Sequence, residues 1–207
     1  GEPRSMSSMS AAIGVFFFYA VVAVFAQNAV FARGMGVSRV IQLVGDDNTS
    51  TLLFASLMTV VCFLDSPVAY FLNRLLEQQS WRVMVRPLAY VVCSCIVCAL
   101  LWLLFTYVPF PYGKQLRNML PNAGFNTCVA GTLLVSTTQS YTLAQSLGFG
   151  LGSGAGYFLA VLLVAEARRR LQGSEVPKAF RGLPIVLVYI GILALAIYGF
   201  TGHTVVI

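Results

Sequence analysis

Long, continuous apolar runs separated by short polar connectors fill the chain from Ala11 onward. The runs do not alternate residue by residue, so the pattern does not fit a membrane β-barrel. Several approach or exceed the roughly 20 apolar residues that carry a helix across a bilayer. The pattern predicts an all-α polytopic membrane protein of about six segments: Ala11–Phe31, Thr51–Leu72, Val85–Val108, Leu116–Gln139, Leu143–Ala167 and Leu183–Phe200. Gly1–Ser10 reads as a cloning remnant or a short disordered lead, and the first run lacks the small-residue site of a cleaved signal peptide. Gly45–Ser50 supplies capping residues for the second segment, and Pro109-Phe110-Pro111-Tyr112-Gly113 ends the third.

Two of these segments carry residues that are costly to place in lipid. Pro121-Asn122-Ala123-Gly124-Phe125-Asn126-Thr127-Cys128-Val129-Ala130-Gly131 interrupts the fourth segment. A weaker copy, Asn28-Ala29-Val30-Phe31-Ala32-Arg33-Gly34-Met35-Gly36, closes the first. Both contain Asn-Ala-x-Phe beside a small-residue break. Three segments plus three fit two inverted repeats, 11–108 and 109–207, within one membrane domain. Interrupted segments at matching places in two halves are the sequence pointer to a site at the membrane midplane. Asn28, Gly34, Gly36, Asn122, Gly124, Asn126 and Gly131 are the candidate elements of that site.

Composition supports this class. The 207 residues are 58% hydrophobic and only 10% charged, with a mean hydropathy of +0.81, whereas soluble domains carry about 25% charged residues. The net charge of +6 does not mark a nucleic-acid protein, because the basic residues flank apolar runs. Arg33, Arg39, Lys114, Arg117, Arg168, Arg169, Arg170, Lys178 and Arg181 fall on one side of this threading; Arg4, Arg74, Arg82 and Arg86 fall on the other. The first group is expected to be cytoplasmic, with both termini outside.

Few residues could carry chemistry. Cys62, Cys93, Cys95, Cys98 and Cys128 all lie inside apolar segments, which argues against a disulfide framework. Cys128, beside the break, reads either as a soft-metal ligand or as a small buried hydrophobe. Cys95 and Cys98 share a helix face that Cys93 leaves, and packing is the favoured reading. Asp65 reads as a cation or proton site, or as a carboxylate near the membrane surface or paired with an arginine. Glu166 belongs to an arginine-rich flank. Gly148, Gly152 and Gly156, interleaved with Gly150 and Gly154, form close-packing stripes on two adjoining faces. His203 is the only histidine, and no catalytic nucleophile–base set or Walker loop is present.

Further motifs carry a resemblance. Glu166–Leu171, then Val176-Pro177-Lys178-Ala179-Phe180-Arg181-Gly182, then Gly199-Phe200-Thr201-Gly202 are similar to the C-terminal third of the Rnf/Nqr membrane subunits. Leu120-Pro121 with Asn126–Gly131, Cys62–Asp65 and Met35-Gly36-Val37-Ser38 extend it over most of the chain. The resemblance implies a divergent subunit of an ion-translocating electron-transport complex in a bacterial cytoplasmic membrane. It would pair with a second copy or a paralogous six-helix subunit, and assemble with flavin and iron–sulfur proteins. It further implies a [2Fe–2S] cluster shared between subunits, with Cys128 as the fourth-helix ligand. The family's Asn-Cys order reads Asn126-Thr127-Cys128 here, and the first-helix cysteine is absent, so the ligand set is incomplete. A non-redox transporter or channel on the same fold is the alternative, and Asp65 would serve its ion pathway. The coupling ion, sodium or proton, is not written in the motifs.

Overall fold

The structure is a computed structural model that describes residues 3–43, 48–79, 81–108, 111–171 and 176–201. His203, Gly202, the Gly45-Asp46-Asp47 part of the first connector and Pro109-Phe110 lie outside the described residues. Eight α-helices are described: α1 Pro3–Val24, α2 Val37–Leu43, α3 Asn48–Leu76, α4 Arg82–Tyr107, α5 Gly113–Gly124, α6 Thr127–Thr138, α7 Leu143–Leu171 and α8 Leu183–Thr201. A single 3₁₀ turn, Lys178–Phe180, precedes α8.

Helices α3, α4, α7 and α8 are each long and apolar enough to cross a membrane, while Met9–Val24 and Thr127–Thr138 are shorter apolar helices. The difference follows from the breaks. The fourth segment is divided into α5 and α6 at Phe125-Asn126, and the first into α1 and α2 across residues 25–36. α1 begins at Pro3, within the lead. Proline suits the first turn of a helix, where its missing N–H would find no helical partner. α1 also ends at Val24 rather than near Phe31, although the residues between remain largely apolar.

α7 is the centre of the bundle. It packs most extensively against α3 and α1, and more lightly against α6, α8 and α2. The two halves expected from the sequence are therefore interlocked across their heaviest contact. Lipid offers no hydrophobic drive for one helix to bury against another, so close van der Waals approach has to hold the bundle. The glycines of α7 provide it. A Cβ on Gly148 or Gly152 would run into the carbonyls of Phe16 and Ala20 on α1. Gly156 abuts Val24 and the Asn28 amide, whereas Gly150 and Gly154 face Ser66 and Thr59 on α3. Phe54, Met58, Phe149 and Tyr157 are the largest fully buried side chains around this contact.

α4 packs against α5, α3 and α6, and α8 chiefly against α7. Their outer faces carry exposed Leu, Ile, Val, Trp and Phe, the surface a bilayer would cover. Pro67 within α3 and Pro87 within α4 do not end those helices. Each lacks an N–H, which leaves the carbonyls of Phe63 and Val83 without their usual helical donor.

Candidate functional site

The two breaks meet. Gly36 donates its backbone N–H to the Thr127 hydroxyl at 2.9 Å. A Cβ on Gly36 would stand 2.8 Å from Cε2 of Tyr157, 3.0 Å from Asn126 Oδ1 and 3.5 Å from Cys128 Cβ. With φ of 74°, Gly36 also adopts a left-handed backbone that only glycine enters freely. Next to it, the Met35 thioether lies where a Cβ on Gly131 would sit. The first break is thus seated on the start of α6.

Each break is organised by an asparagine. Asn28 is fully buried, and its amide donates to the carbonyls of Val24 at 2.8 Å and Gly156 at 3.1 Å. Its oxygen accepts from the N–H groups of Val30 at 2.9 Å and Phe31 at 3.1 Å. One side chain therefore satisfies the chain as it leaves α1 and fastens it to α7, which is why α1 can stop inside an apolar stretch. Asn126 caps α6 by accepting from the Cys128 N–H at 2.9 Å, the standard role of asparagine at a helix start. Asn122 and Gly34 line an open crevice of about 500 Å³ together with Arg39 and Thr127. Gly124 lets the Cys98 sulfur approach the α5 backbone.

Cys128 lies at the start of α6 and is 0% exposed. Cys62 on α3, also 0% exposed, belongs to the same buried core cluster. Thr132 donates to the Cys128 carbonyl at 2.8 Å. The residue directly after Asn126 is Thr127, which is exposed. One further position turns a helix by about 100°, and that turn carries the Cys128 side chain from the surface into the core. Among the described residues no group of three or more His, Cys, Asp and Glu is arranged to hold a metal ion. Cys93 is buried, Cys95 exposed and Cys98 half-buried, with the Cys98 sulfur 3.9 Å from the Leu120 carbonyl; the three do not converge.

Asp65 is 0% exposed in the middle of α3, and among the described residues no arginine forms an ion pair with it. Ser94 of α4 donates to its Oδ2 at 2.6 Å, and Oδ1 is buried without a hydrogen-bond partner. Ser94 also lines a crevice of about 110 Å³ with Tyr90, Gly124, Asn126 and Thr127, so the carboxylate lies directly behind the α5–α6 break. Ser94, Cys62 and Tyr157 carry no mark of this role in the sequence, because nothing local to α3, α4 or α7 names their distant partners. Glu166 bonds Arg170 at 2.8 Å on the exposed end of α7, away from these groups.

A bundle of long apolar helices with two apposed breaks defines a multi-pass membrane protein. The Rnf-Nqr subunit family of membrane proteins matches residues 16–204, and the chain belongs to that family. One relative is the A-type component of the ion-translocating oxidoreductase complex of Pasteurella multocida. The two are 30% identical over 169 residues, covering 81% of this chain and 84% of that protein. The component of the same name from Yersinia enterocolitica is 32% identical over 144 residues, covering 70% and 75%. Its Yersinia pseudotuberculosis counterpart is 31% identical over the same length and shares.

Proposed function

We propose that this chain is an integral membrane subunit of an ion-translocating electron-transport complex. The family match across nearly the whole chain carries that reading, and relatives named as components of such complexes support it. In this role the chain pairs with a second copy or a paralogous six-helix subunit, and it assembles with flavin and iron–sulfur proteins of the complex. Its two halves act as inverted repeats joined where Gly36 meets Asn126 and Thr127. A bacterial cytoplasmic membrane with both termini outside accords with the placement of the basic residues.

The thiols shape the redox part of the proposal. A [2Fe–2S] cluster is held by four protein ligands, ordinarily cysteine thiolates. Cys128 is buried within this chain, which supports a reading in which it packs the core. The electron carriers of the complex are therefore assigned to partner subunits, with this chain supplying the membrane scaffold and the ion side.

Native membranes containing an affinity-tagged chain, solubilised in mild detergent, test the assembly. Expected is co-purification of further complex subunits, identified by mass spectrometry. A chain that purifies alone, or only with copies of itself, would count against the assembly and favour the transporter reading. Iron and acid-labile sulfide per chain, with visible spectra of wild type and Cys128→Ser, test the thiol assignment. Equal iron and unchanged absorbance are expected; bleaching by Cys128→Ser would restore Cys128 as a ligand.

A further inference from the structure

We propose that Asp65 is a proton-carrying site, loaded through the Ser94 hydroxyl from the crevice at the α5–α6 break. This deepens the proposed role, on which it rests, by naming the ion for which the chain holds a site.

The argument starts from the surroundings of the carboxyl. It is wholly enclosed, Ser94 Oγ is 2.6 Å from Oδ2, and Oδ1 has no partner. A carboxylate taken out of water without a counter-charge is strongly disfavoured. No lysine or arginine pairs with it; the only ion pair among the described residues is Glu166–Arg170. The titratable groups acting with it are thiols: Cys62 on its own helix, and Cys93 and Cys98 on α4. Among the described residues no charged group of α5, α6 or α7 forms an ion pair with it. A neutral acid removes the buried charge and keeps the Ser94 contact, since a proton on Oδ2 is donated back to Ser94 Oγ.

A bare cation is served less well. Hard cations in proteins gather about six oxygens. Ser94 is the hydroxyl that reaches this carboxylate, and the neighbouring Ser66 hydroxyl is committed to the Cys62 carbonyl at 2.7 Å. The oxygen shell a cation needs is not assembled.

Ser94 gives the acid its route. It lines the 110 Å³ crevice and touches the carboxylate, so it spans the wall between them. A hydronium in the crevice gives a proton to Ser94 Oγ as the Ser94 proton passes to Oδ2. Water and a neutral Asp65 remain, and the reverse transfer unloads the site.

Infrared difference spectra of the full chain in lipid, recorded while pH is varied, test this. Expected is a carboxylic-acid C=O band that grows as pH falls, shifts in D2O and is lost in Asp65→Asn. Ser94→Ala removes the hydroxyl through which the site is loaded, so the band should appear more slowly after a downward pH jump. That variant also keeps the assignment testable if Asp65→Asn does not fold. A band absent at every pH would overturn the proposal, as would one that ignores both pH and D2O. Loss of the band on adding sodium at fixed pH would make this a cation site instead. These readouts do not depend on which subunits co-purify, so the two proposals fail separately.

Discussion

Gly36→Ala probes the seam between the two breaks. Two costs add at this position. With φ of 74°, an alanine enters the left-handed region at about 1–2 kcal/mol. Its methyl would then stand 2.8 Å from the Tyr157 ring and 3.0 Å from Asn126 Oδ1. Neither can yield easily: Tyr157 is fully buried, and Asn126 is holding the Cys128 N–H. Such overpacking costs about 1–3 kcal/mol, so the total is about 2–5 kcal/mol. Gly34→Ala is the matched control, with φ of 67° and nothing within 4 Å of the added methyl. It should cost only the backbone share, about 1–2 kcal/mol, and Gly34→Asn should recover part of it because asparagine tolerates this conformation. The assay is the fraction folded after graded heating in mild detergent, read by size-exclusion chromatography. If Gly36→Ala proves no more labile than Gly34→Ala, the two breaks do not touch as described.

Asn28→Ala removes four hydrogen bonds and strands two buried N–H groups, and should destabilise by about 2–5 kcal/mol in the same assay. Asn126→Ala loses the α6 cap and should cost about 0.5–2 kcal/mol; Asn126→Ser, which can still cap, should recover most of it. Gly152→Leu drives a side chain into the Ala20 carbonyl and should abolish the folded peak, whereas Gly191→Leu on α8, with open space around it, should leave it in place. Glu166→Gln at the exposed end of α7 should leave the heating midpoint unchanged, because a solvated pair contributes little.

The six apolar segments are legible because membrane length and continuous hydropathy are properties of the chain itself. Both breaks are legible for a similar reason: glycines, proline and asparagines interrupt apolar runs only where the backbone is handled locally. The exact end of α1 is not, since Phe25–Phe31 reads as more helix. The Asn28 side chain turns the chain there, and it needs the Gly156 carbonyl from 128 positions away. Short α2 carries too few residues for a periodic signal. The burial of Cys128 is not legible either, because one step of helical rotation separates exposed Thr127 from the core position that Cys128 takes. Asp65 stands out as costly from its own position, but its bond to Ser94 appears only when α3 and α4 are side by side.

The glycine faces of α7 also have a mechanical meaning. One face is notched for the α1 backbone and the adjoining face for α3, so rotating α7 to suit one neighbour would drive its larger side chains into the other. α1, α3 and α7 are consequently keyed together as one closely packed unit. The α7 glycine faces do not reach α4, nor α8 on the rim, so relative motion is left to those helices. The moving parts meet the packed unit at the α3–α4 contact, where Asp65 belongs to the frame and Ser94 to the helix that can move against it.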